Sequence, residues 1–90
     1  MKIVTFIGNF VKNMPTIKII DSIKIDIYSR EHSPPHVHLL YSEYEILIEI
    51  KTLKIYAGQL PKTQYNKAFK WIKENSNLLL ENFKRLNPKL

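Results

Sequence analysis

The chain has 90 residues, an apolar fraction of 44%, one Trp, five Tyr, four Phe and no cysteine. That composition describes one small globular domain and excludes a disulfide framework or a thiolate metal site. Nothing approaches the roughly 20 apolar residues of a membrane span. Met1–Val11 is interrupted by Thr5, Gly8 and Asn9 and has no signal-peptide core. The expected setting is therefore the cytoplasm, with no membrane partner.

The net charge of +6 is unevenly spread. Residues 1–58 carry seven basic and six acidic side chains, a net of +1, whereas residues 59–90 carry seven and two, a net of +5. A basic C-terminal third points to an anionic partner, nucleic acid first, against the plainer reading of a solvated lysine-rich helix face.

In chain order, residues 1–13 read as an extra edge strand (Ile3, Val4, Phe6, Ile7) or a loose extension, and residues 14–90 as a single α+β domain. Thr16–Ile20 and the alternating Ile23, Ile25 and Ile27 flank Asp21-Ser22, which predicts a hairpin. Val37–Leu40 and Glu45–Ile50 flank Ser42-Glu43, and Leu53–Ala57 follows Lys51-Thr52, so the strands should form an antiparallel meander ended by Gly58 and Pro61. From there the period changes. Tyr65, Ala68, Phe69 and Ile72 mark one helical face, with Pro61 in the first turn. Asn75-Ser76-Asn77 predicts a break, with Asn77 as N-cap of a second helix whose stripe is Leu79, Phe83 and Leu86. The fold class expected is an antiparallel β-meander sheet with one or two C-terminal helices packed on one face.

All three histidines fall in Glu31-His32-Ser33-Pro34-Pro35-His36-Val37-His38. The prolines stiffen the segment into a bend that feeds a strand. If Ser42-Glu43 is a two-residue turn, the ladder runs from Tyr41–Tyr44 to His36–Glu49. Val37, Leu39, Ile46, Ile48 and Ile50 then share an apolar face, and His36, His38, Glu45, Leu47 and Glu49 share the other. The turn at Lys51-Thr52 adds Ile55 to the apolar face, and Lys54 and Tyr56 to the open one. Tyr28 and Arg30 join them if their strand lies alongside.

Three uses of this face compete. Metal-independent RNA cleavage needs a base, an acid and cations for the phosphate, and needs no cofactor. His36 and His38 supply the acid–base pair, Glu49 the orienting carboxylate, Arg30 or Lys54 the phosphate clamp, and Tyr56 a further proton donor. A metal site for zinc or another transition metal would take His32, His36 and His38, or Glu49 in place of His32. The plainest use is a polar His–Glu pair on a solvent-facing strand. Lys62, Lys67, Lys70 and Lys73 line one helix and could track a phosphate backbone.

Met14-Pro15-Thr16-Ile17, the histidine block, Leu60-Pro61-Lys62, Trp71 and Leu79-Leu80-Glu81-Asn82 occur in an order that resembles the small bacterial proteins of domain-of-unknown-function family 4160. The likeness covers nearly the whole chain from Met14, and the His-x-Pro-Pro-His-x-His block is its most specific part. Residues 1–13 lie upstream of the usual start, and Phe83 stands where the family often has Trp. Such proteins are often encoded beside a second small protein, an arrangement similar to toxin–antitoxin modules. The resemblance thus implies a toxin-like protein acting on RNA, with a cognate small antitoxin as partner, while the exposed polar sheet face equally suits a homodimer interface. The alternatives are a non-catalytic module that binds nucleic acid or protein, such as a defence-system inhibitor, and a histidine-ligated metal protein.

Overall fold

The computed structural model describes residues 16–29 and 31–88, so the extension or edge strand read at residues 1–13 lies outside the described residues. Strands β1 (Thr16–Ile20) and β2 (Ile23–Asp26) form the expected hairpin. Asp21 and Ser22 take φ values of 46° and 69°, the paired positive angles that a type I′ turn requires. Strands β3 (His36–Tyr41) and β4 (Tyr44–Glu49) pair from Tyr41–Tyr44 to His36–Glu49, in the register that the alternation predicts.

The next strand differs from expectation. It is β5 (Ile55–Gln59), not Leu53–Ala57, and Gly58 lies inside it at φ +81°. Ile48 pairs with Ile55, but Leu47 pairs with Ala57 rather than Tyr56, because a bulge shifts the register between them. Bulges of this kind leave one residue unpaired and bend the strand. The five strands are ordered β1-β2-β3-β4-β5 in one antiparallel sheet.

Two helices follow, α1 (Lys62–Glu74) and α2 (Ser76–Leu86). Pro61 is the N-cap of α1 rather than a first-turn residue, and its carbonyl accepts the Tyr65 N–H at 2.8 Å. The break between the helices is Asn75 alone. Its side chain donates to the Trp71 carbonyl at 2.9 Å, and its own carbonyl accepts the Leu79 N–H at 3.0 Å. One residue therefore closes α1 and opens α2, and Asn77, expected to be the cap, lies inside the second helix.

The core joins Ile23, Ile25 and Ile27, Val37 and Leu39, and Ile46, Ile48 and Ile50 to Ala68, Ile72, Leu79 and Phe83. Each large apolar side chain fully buried there contributes about 1.5–3 kcal/mol. Among the described residues, the helices pack mainly on the central strands, and β5 lies at an edge of the sheet. Ile55, assigned to the apolar face, is consequently 53% exposed, and no residue of β5 is buried. The radius of gyration is 12.9 Å, and no helix of the described residues is long and apolar enough to cross a membrane.

Candidate functional site

The second face of the sheet, expected to be open, is covered over His36 and His38, where Glu31, in the segment between β2 and β3, lies against the rings on β3. Glu31 Oε1 lies 2.6 Å from His38 Nε2 and 3.1 Å from His36 Nε2. Asn87, just past α2, holds this segment from outside. Its Oδ1 accepts the Glu31 N–H at 2.7 Å, and its Nδ2 donates to the Tyr28 carbonyl at 3.0 Å and the Phe83 carbonyl at 3.1 Å. His36 is left 1% exposed and His38 7% exposed.

Both rings are engaged at both nitrogens. His36 Nδ1 is 2.7 Å from the Pro34 carbonyl, and His38 Nδ1 is 2.9 Å from Glu45 Oε2. Tyr28 stacks on His38 at a centroid distance of 4.1 Å, while the His36 ring touches Tyr56 and Phe83 at 5.4 and 5.7 Å. Burial pushes the Tyr28 hydroxyl up to about 12, helped by the negative charges of Asp26, Glu45 and Glu31, so it stays a phenol. Burial also pushes the Glu31 carboxyl up, but the hydrogen bonds from His38 and His36 outweigh it and hold the group below its ordinary value. Glu31 is thus a carboxylate at neutral pH.

Outside this cluster, His32 Nε2 lies 3.4 Å from the Tyr56 hydroxyl, and both residues are exposed. The His32 and His36 rings are 6.1 Å apart. Asp26, directly across the ladder from His38, is 3% exposed, and its Oδ1 has no hydrogen-bond partner among the described residues.

Of the residues singled out in sequence, His36, His38 and Tyr56 come together. Glu49 pairs with His36 in the ladder, as expected, but the hydrogen bonds to that ring come from Glu31 and Pro34. His32 faces Tyr56 rather than the other two histidines. Lys54 is exposed beside Tyr56 in sequence, and Arg30 lies outside the described residues. Lys62, Lys67, Lys70 and Lys73 are all exposed on α1, which packs on the apolar face. Lys67 is paired with Asp21 at 3.0 Å.

Sequence reasoning missed Glu31, although it opens the histidine block, because a loop residue has no periodicity to place it. It also missed the role of Glu45, which the register had already put on the right face. Asn87 gave no signal at all.

An antiparallel meander backed by two helices, with a buried carboxylate–imidazole cluster on its far face, is a compact α+β domain built around one polar site. The chain belongs to the family described as Domain of unknown function (DUF4160), whose match spans residues 22–84. That span takes in the whole cluster apart from the Asn87 clamp, and excludes Met14–Ile17. No curated protein and no solved structure is significantly similar to the chain.

Proposed function

We propose that this protein is a toxin-like member of a bacterial toxin–antitoxin pair that acts on RNA in the cytoplasm, with its working surface where His32 and Tyr56 reach solvent. The contact between these two groups at 3.4 Å carries the reading. Both carry polar atoms that can give or take a hydrogen bond, both are exposed, and both lie against the ring of His36. Burial of His36 and His38 moves the acid and base roles outward, because a scissile phosphate needs groups it can reach. His32 then serves as base toward the 2′-hydroxyl and Tyr56 as acid toward the leaving oxygen, with Lys54 nearby for charge. The buried cluster keeps the His36 ring, against which both pack, in place. Lysines of α1 attract the backbone at long range but cannot line the same groove.

The deciding measurement is cleavage of a labelled RNA pool by wild type, His32→Ala and Tyr56→Phe, with EDTA present throughout. Cleavage by wild type, reduced at least 100-fold in each variant, is the expected result. Cleavage that survives both substitutions removes the two residues from the chemistry. No cleavage by any protein, with binding lost on Lys67→Glu and Lys70→Glu, would instead make the protein a non-catalytic binding module.

A further inference from the structure

The hydrogen bonding of the two buried rings leaves an imbalance. A neutral imidazole has one N–H to donate and one lone pair to accept with. Yet His36 faces a carbonyl oxygen at Nδ1 and a carboxylate oxygen at Nε2, and His38 faces a carboxylate at each nitrogen. Each ring therefore meets two acceptors, and a neutral ring can satisfy only one.

We infer that Glu31, His36 and His38 form a binding site for a divalent transition-metal ion of the zinc class, held by the two Nε2 atoms and the Glu31 carboxylate. One ligand atom from each of the three residues lies within 4.8 Å of the others. Zinc takes histidine nitrogen and carboxylate oxygen at about 2.0–2.2 Å, which spaces tetrahedral ligand atoms about 3.3 Å apart. The observed nitrogen–oxygen separations of 3.1 and 2.6 Å would open by about 0.2 and 0.7 Å to admit the ion.

The outer contacts are those such a site requires. With Nε2 bound to metal, each ring is a neutral tautomer with its proton on Nδ1. His36 then donates to the Pro34 carbonyl and His38 donates to Glu45, so every contact pairs a donor with an acceptor. Acceptors of this kind orient ligating rings and raise their basicity. Two nitrogens and a carboxylate favour zinc, cobalt or nickel over magnesium and calcium, which prefer all-oxygen sets. His32 is not a ligand in this arrangement, and solvent completes the coordination. The inference is independent of the RNA reading, since the ion is held whether or not RNA is cut.

The test uses the tag-free full chain, stripped with chelator and titrated with Zn²⁺ against a chromophoric competitor. One equivalent should bind at micromolar affinity or better. Glu31→Gln should weaken binding at least 100-fold. Glu45→Gln, at an exposed position, should weaken it about 10- to 100-fold. His32→Ala should leave both stoichiometry and affinity unchanged. Because His36→Ala opens a buried ring site, the wild type provides the check that needs no folded variant. Its Co²⁺ form should show the intense visible bands of a four-coordinate nitrogen–oxygen site. Absence of stoichiometric Zn²⁺ binding by the folded wild type would overturn the inference. So would binding that Glu31→Gln does not weaken, or that His32→Ala abolishes. RNA cleavage enters none of these readouts, so the two readings fail separately.

Discussion

Asn87 and Glu31 lie fifty-six residues apart, yet the Asn87 side chain accepts the Glu31 backbone N–H at 2.7 Å. The same amide donates to the Tyr28 and Phe83 carbonyls, so the C-terminus of α2 fixes the loop that roofs the histidines. The end of a helix thereby sets the position of the carboxylate that meets the two histidine rings.

Asn87→Ala should cost about 1–3 kcal/mol, since it strands partly buried backbone groups that had a partner. Urea unfolding measures the loss. Asn87→Asp keeps the acceptor for Glu31 and loses the donor, and should fall between the alanine variant and wild type. An alanine variant as stable as wild type would mean that the loop holds itself.

Gly58→Ala should destabilise by about 1–3 kcal/mol, the usual cost of a strained backbone conformation. A Cβ there would stand 2.3 Å from the Glu45 carbonyl oxygen, at a φ of +81° that L side chains rarely adopt. Relief requires β5 to move off β4 near Tyr56. Thermal melts of Gly58→Ala and of an exposed control, Gln59→Ala, separate this strain from a general intolerance of the edge.

In the metal-free protein, acid should weaken the cluster in a defined direction. The Glu31 carboxyl sits below its ordinary value of 4.5 in the folded state, because the His38 and His36 hydrogen bonds outweigh burial. A depressed folded value contributes stability that is present above about 4.5 and is lost as pH falls through the lower folded value. Urea midpoints of wild type and Glu31→Gln, measured with chelator from pH 7 down to 3, should converge as pH drops. A constant gap would show that the carboxylate charge contributes nothing.

Lys67→Ala should leave stability within about 1 kcal/mol of wild type, because its ion pair with Asp21 at 3.0 Å is between two exposed groups. Lys70→Ala should do the same. Loss of RNA affinity in both, with unchanged melting, would assign α1 to long-range attraction of the backbone.

The hairpins were legible because alternation leaves one register that buries Ile23 and Ile25 together with Ile46, Ile48 and Ile50. The His36–Glu49 to Tyr41–Tyr44 ladder follows from Ser42-Glu43 alone. The helices were legible in type and in buried face, less so at Pro61 and Asn75, where a single residue does what several seemed needed for. Alternation also placed His36 and His38 on one face, but it carries no information on what lies above that face. Glu31 sits in a loop held by Asn87, and such a contact across the fold leaves no periodic trace. The bulge was equally hidden, since Tyr56, the extra residue between the Leu47–Ala57 and Ile48–Ile55 pairs, breaks no hydrophobic pattern.

The spacing of the cluster also sets the order in which it can assemble. Glu31 is five residues from His36 and seven from His38, and His38 is seven from Glu45. Contacts this local need only short stretches of chain to close, whereas the Asn87 contact with Glu31 spans fifty-six residues. The rings and carboxylates can therefore meet while the helical segment is still unstructured, whereas the Asn87 clamp must wait for α2. During synthesis the polar centre would be a nucleus around which the sheet gathers, and the last helix would lock an arrangement already made.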